Sequence, residues 1–288
     1  VSGPGGGDPA TDDVHPICVT CGVQYDPLLV VDGRCVVCED ERQYVGWDGQ
    51  RWTTLAELAE QGHQTVLRQE GALWGVGTEP SFAIGQRALL VPGEGGNLLW
   101  DCVSYLDAET VAAVAEQGGI AAVAVSHPHF YSSAIAWSEA FGGVPVYLHA
   151  ADAEWVCRDG NIVSWTGDTL EVLPGRTLLR AGVHFAGGTV LHWDGADAGG
   201  VTLAEPALCT GDILTVVMDR RYVSFMYSYP NHVPESPAVI DRALRLLEPW
   251  PFDTIYGGWW RRVVTGDAKQ AVQRSAERYL ARLEHEPD

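Results

Sequence analysis

Two histidines two residues apart, His127 and His129, follow the apolar run Ile120-Ala-Ala-Val-Ala-Val125 and precede a helix-like stretch, Ser133 to Ala140. A loop handing a strand over to a helix can aim both imidazoles at one cation. Alone, His-x-His is a weak signal, and its plain alternative is a pair of loop histidines bonded to backbone. His184, in Gly182-Val-His-Phe-Ala-Gly-Gly-Thr-Val190, and Asp212, in Cys209-Thr-Gly-Asp212, are further candidate ligands. Three neutral imidazoles suit Zn²⁺ or Fe²⁺ and leave a coordination position for water. Asp212 is then either a fourth ligand or the carboxylate that holds the water and takes its proton.

The N-terminal region carries a more specific signal. Cys18-Val-Thr-Cys21 and Cys35-Val-Val-Cys38 are two Cys-x-x-Cys knuckles separated by thirteen residues. Each tight turn supplies two sulfurs, and together they close a tetrahedral site. A structural zinc ribbon is the reading. A rubredoxin-type iron centre is the rival, and disulfides come third because the chain reads as cytosolic. The metal of so small a unit contributes folding free energy rather than chemistry. Such ribbons dock on a partner or on the body of their own chain. Cys102, Cys157 and Cys209 read as buried small hydrophobes.

The elements that must position these residues alternate in type. Residues 1–15, rich in Gly, Pro and Asp, read as a disordered tail, 16–46 as the ribbon, 47–78 as a connecting segment with a short helix, and 79–288 as the main domain. Thr54-Leu-Ala-Glu57 is a capping box that starts a helix reaching about Gln61, and 71–77 reads as connection. Short strands are expected at 82–84, 87–91 and 98–100, with a helix capped by Asp107. Further strands follow near 144–148, 169–173, 177–181, 188–193, 207–211 and 254–256, with helices near 151–156, 236–248 and 266–283. Periodicity alone gives mixed α/β.

The order Asp101, His127/His129, His184, Asp212 resembles the metallo-β-lactamase fold family of metallo-hydrolases. In that family an Asp ends a strand (here Asn97-Leu-Leu-Trp-Asp101), then come His-x-His-x-Asp-His, a His before a small-residue turn, and a strand-ending Gly-Asp (here Gly211-Asp212). The resemblance runs from about Glu79 to the C-terminal helix. It implies a four-layer αββα sandwich with helices outside two facing sheets. It also implies a metal-dependent hydrolase of a small ester, thioester or lactone. Where the family has Asp and His, this chain has Tyr131 and Ser132. Where the family has a final ligand His, it reads Ile255-Tyr-Gly-Gly-Trp-Trp260. A single cleft metal, Zn or Fe, is therefore expected. Asp101 is expected to orient a ligand, and Tyr131 either donates to an oxyanion or is packed as an ordinary aromatic. Tyr229, His232, Trp259 and Trp260 are the candidates to line a substrate pocket, with His232 the outside candidate for the lost ligand. His149 and His192 read as structural. The alternatives are a non-catalytic binding or scaffold protein and a mononuclear iron oxygenase.

Composition narrows the partners. The 288-residue chain carries a net charge of −20, against nucleic acid, which needs a basic face. No apolar run is long enough to span a membrane, and no secretion signal stands out, so a cytoplasmic protein with a small-molecule substrate is expected, self-association into a homo-oligomer being left open.

Overall fold

The computed structural model describes residues 8–198 and 201–283. Its body is built on two sheets. The first has seven strands in sequence order, β1 (Gln64–Glu70), β2 (Leu73–Glu79), β3 (Ala88–Val91), β4 (Leu98–Trp100), β5 (Ala122–Ala124), β6 (Val146–His149) and β7 (Ile162–Trp165). It is antiparallel up to β4 and parallel from β4 to β7. The second has six, β8 (Thr169–Leu173), β9 (Arg176–Arg180), β10 (Thr189–Trp193), β11 (Ala207–Gly211), β12 (Thr254–Gly257) and β13 (Val263–Thr265), with β11 and β12 parallel.

Alternation along these strands fixes the layers, because successive side chains leave opposite faces. Leu89, Val91, Leu98, Trp100, Ala122 and Ala124 of the first sheet meet Leu178, Leu191, Trp193, Ala207, Cys209 and Tyr256 of the second in one core. The intervening residues face outward. Leu90, Leu99 and Val123 pack beneath α2 (Ala108–Glu116) and α3 (Ala134–Ala140). Leu179, Val190, Leu208 and Ile255 pack beneath α4 (Pro237–Leu247) and α5 (Ala268–Leu283). The result is the expected αββα sandwich. No helix among the described residues is long and apolar enough to cross a membrane.

Half of the capping box forms: Thr54 accepts from the Glu57 N–H at 3.2 Å and starts α1 (Leu55–Glu60), while the Glu57 carboxylate accepts from the Thr53 hydroxyl at 2.9 Å. Three expectations change. The segment read as connection through 71–77 forms the β1–β2 hairpin, an edge whose glycines make room for the Trp260 indole at Gly75 and Gly77. Residues 82–84 are a turn, and β7 had not been read as a strand. Of the tail read as disordered, residues 1–7 lie outside the described residues, while Pro9–Thr11 form a 3₁₀ turn capped by Asp8.

The ribbon reaches beyond 46, because Ile17–Cys18 pairs with Trp52–Thr53. It does not stand apart. Cys18, Cys21, Val23, Tyr25, Cys35, Val37 and Cys38 belong to the same core as Val103, Val123 and Trp137 of the body. Backbone bonds join them, from Gln24 N–H to Ser132 O (3.0 Å) and from Asp26 N–H to Cys157 O (2.7 Å).

Leu191 lies fully buried between the two sheets. Leu191→Ala should lower the unfolding free energy by about 2–5 kcal/mol in a denaturant titration, since it removes apolar contact and leaves a cavity.

Candidate metal centre

The candidate ligands sit at strand ends along one rim of the sandwich. Asp101 follows β4, His127 and His129 follow β5, His184 lies between β9 and β10, and Asp212 follows β11. Chemistry at the carboxyl ends of parallel strands is the usual consequence of this architecture. A one-turn 3₁₀ helix, Pro128–Phe130, swings His129 back beside His127. Asp101 (φ 59°) and His184 (φ 68°) both hold left-handed backbone, a strained conformation for non-glycine residues that clusters at functional sites.

One nitrogen from each of His127, His129 and His184 lies within 4.8 Å of the others. His129 Nδ1 is 3.1 Å from His184 Nε2, and His127 Nε2 is 3.3 Å from Asp212 Oδ1. The far sides of two rings are fixed. His184 Nδ1 donates to Tyr227 O at 2.7 Å, so Nε2 carries the lone pair, and His127 Nδ1 lies 2.9 Å from Ser126 Oγ. Asp101 Oδ1 accepts the Ser126 N–H at 2.8 Å, next to His127 in the chain.

Burial sets the electrostatics. It pushes His127 and His129 well below the usual imidazole range and His184 down to about 4, leaving three neutral rings with lone pairs free. The same burial, with Asp101 nearby, raises Asp212 to about 8, and Asp101 itself rises to about 7. Among the described residues, His127 Nε2, His129 Nε2 and Asp212 Oδ1 are buried without a hydrogen-bond partner. Converging nitrogens of the three rings and an unpaired buried carboxylate oxygen fit a cation, which would relieve His127 Nε2 and Asp212 Oδ1. Asp212 is adjacent to His127 but is not one of the three mutually close groups.

The four ribbon sulfurs also lie within 4.8 Å of one another. Separations of 3.5 Å (Cys18–Cys38) and 3.6 Å (Cys21–Cys35) are those of separate sulfurs, not disulfides. Gln50 Nε2 donates to Cys18 Sγ and the Tyr25 hydroxyl reaches Cys35 Sγ, each at 3.1 Å. Donors aimed at sulfur suit thiolates around a metal.

His129 and His184, with His127 behind them, open on a pocket of about 350 Å³ that Asp212, Tyr229, Pro230, Trp259, Ala83 and Ile84 line together with Thr20, Gln43 and Tyr44 of the N-terminal region. No family model matches the chain. It is 46% identical over 273 residues to the uncharacterized protein YmaE of Bacillus subtilis (strain 168), over 94% of this chain and 97% of that protein. The chain belongs to the YmaE family. Solved structures similar to it include VMB-1, at a TM-score of 0.55 and 12% identity over 76% of this chain and 98% of that one. The DIM-1 metallo-β-lactamase matches at a TM-score of 0.54 and 12% identity, over 75% and 98%. The metallo-β-lactamase fold read from Asp101, the three histidines and Asp212 is the fold of this chain.

Other expected site residues divide. Tyr229 and Trp259 line the pocket: the Tyr229 hydroxyl donates to Asp212 O at 2.6 Å, and Trp259 Nε1 donates to Ile84 O at 3.2 Å. Tyr131 does not. It follows the 3₁₀ turn and faces a small void between α3 and the ribbon, beside Val23, Ile135 and Cys157. Trp260 turns onto the β1–β2 hairpin, and His232 is exposed, so neither lines the pocket. His149 and His192 are structural, bonded to Gly167 O (3.1 Å) and Pro251 O (2.7 Å). Thr20, Gln43 and Tyr44 were missed. Nothing in their local sequence marks a pocket wall; only the docking of the ribbon puts them there.

Elemental analysis should find one ion per cluster, and His129→Ala should lose the cleft ion while keeping the ribbon's. Cys35→Ser should do the reverse and also lower thermal stability, because ribbon folding draws on its metal. Asp101→Ala should weaken cleft metal affinity about 10–100-fold, measured by competition with a chelator.

Proposed function

We propose that the chain is a metal-dependent hydrolase of a small ester, thioester or lactone, working with one cation held by His127, His129 and His184. What carries the reading is the convergence of three buried neutral imidazoles beside the unpartnered Asp212 Oδ1, at a pocket large enough for a small substrate. Zinc in the ribbon and zinc or ferrous iron in the cleft suit the donor sets. A cation bound there activates water at neutral pH and polarises a carbonyl. The chain's own residues do the rest. Tyr227 O keeps the His184 lone pair on Nε2, Asp101 keeps His127 in place through Ser126, and Asp212, ionised beside a bound cation, would orient the water and accept its proton. The Tyr229 hydroxyl holds the Asp212 backbone, while Trp259, Ile84 and Pro230 provide apolar wall that excludes bulk water.

A second reading, a non-catalytic binding protein, draws on the fate of the positions where two-metal relatives have further ligands. Ser132 is tied to Gln86 Nε2 at 2.8 Å, Tyr131 faces the other void, and a Cβ at Gly258 would lie 3.0 Å from Phe130. Rates with 4-nitrophenyl acetate, an acyl thioester and a γ-lactone separate the two. Turnover by the metal-loaded chain should vanish in His129→Ala and fall about 10²–10⁴-fold in Asp212→Asn. Rates equal to buffer on all three compounds, or turnover indifferent to His129→Ala, would leave the binding protein as the better account.

A further inference from the structure

His184 carries its imidazole on left-handed backbone (φ 68°), a conformation that suits glycine and has to be enforced on any other residue. Glycine would lack the ring, so the enforcement comes from outside the loop. Two braces belong to one short hairpin, Met226–Ser228 paired with Val233–Pro234. Tyr227 O, on its first strand, accepts from the ring at Nδ1. Glu235, the residue after its second strand, accepts the His184 backbone N–H at 3.0 Å through Oε2. The His184 carbonyl accepts from the Arg42 guanidinium at 3.4 Å. Every polar group of the residue but Nε2 is therefore engaged outside the cluster, and Nε2 is the atom turned to His129.

Glu235 is 6% exposed, and its other oxygen, Oε1, accepts the Ser236 N–H at 2.7 Å at the entry to α4. Its own N–H donates to the Tyr279 hydroxyl of α5 at 2.8 Å, so the carboxylate stands on a fixed backbone. Two converging N–H donors need two acceptor oxygens. A carboxylate has both, whereas the isosteric glutamine has one, its second terminal atom being an NH₂ donor. Burying a carboxylate is costly unless such bonds are made. We infer that Glu235 is a positioning residue of the metal centre: it holds the His184 backbone in the left-handed conformation that turns Nε2 toward the other two rings. The inference rests on the three histidines holding a cation, and not on the reaction catalysed there.

The test reads metal retention, so that it does not depend on turnover. The full chain, loaded with zinc at both clusters, is dialysed against graded chelator and its metal counted, the ribbon's ion serving as internal control. Glu235→Gln should weaken cleft zinc about 10–100-fold and leave the ribbon's ion in place. Amide hydrogen exchange of the loaded variant should be faster at His184, a change that losing the bond to Ser236 alone would not produce. If Glu235→Gln does not fold, Tyr279→Phe, which removes the acceptor for the Glu235 N–H, should weaken the cleft ion about twofold to tenfold, the worth of one neutral hydrogen bond. Unchanged cleft affinity in the folded variant overturns the inference, and so does an equal loss from both clusters. An unaltered chain that keeps no cleft ion overturns it together with the three-histidine site. The hydrolase reading is judged separately on 4-nitrophenyl acetate: a cleft ion that depends on Glu235 in a chain without turnover sinks that reading and leaves this one, and turnover with a cleft ion indifferent to Glu235→Gln does the opposite.

Discussion

Three imidazoles and a carboxylate taken out of water together are the constraint on which the rest of this structure depends. Desolvation opposes charge on each, so the rings stay neutral and Asp212 is driven up to about 8. Such a cluster is unfavourable without a positive partner, and the surroundings keep its lone pairs facing inward rather than satisfying them. Tyr227 O occupies the outer nitrogen of His184, Ser126 stands at the outer nitrogen of His127, and Asp101 holds Ser126. Gly211 (φ 55°) lets the strand before Asp212 run close by, where a Cβ would come within 2.8 Å of Ser126 Oγ. The left-handed backbone at Asp101 and His184 is tolerated because burial and these bonds over-determine it.

The ribbon depends on the body as much as the body depends on the ribbon. A unit of this size cannot bury a sufficient core by itself. Its four sulfurs close one side, and its remaining apolar residues merge with the helical layer over the first sheet. Because Arg42 stacks on Phe185 and Gln43 lines the metal pocket, the two candidate metal sites share one continuous stretch of packed structure.

Ser132 and Gly258 serve the packing around the three histidines. Ser132 accepts from Gln86 through its hydroxyl and from Gln24 through its carbonyl, and so joins ribbon to body. Gly258 gives room to Phe130, whose ring in turn packs 4.6 Å from His127. Larger side chains at these positions would break that packing.

Much of this was legible in the chain itself. Cysteine spacing is a local property, so Cys18, Cys21, Cys35 and Cys38 declare their cluster without a fold. The capping box at Thr54, the apolar run before His127 and the order of Asp101, the histidines and Asp212 set the architecture, because period and capping are also local. Which side chains share a pocket is decided by packing between distant segments. Tyr131 stands four residues from His127 yet faces another void, since a single 3₁₀ turn redirects it. Trp259 and Trp260 are neighbours in sequence, and the chain sends one into the pocket and the other onto the β1–β2 edge. Gln43 carries no motif, and only the contact of the ribbon with the loops of His184 and Tyr229 makes it part of the site. The candidate ligands and their order are written in the chain; the walls of the pocket come from tertiary packing, because they are made by residues far apart in the chain that meet only once the core is buried.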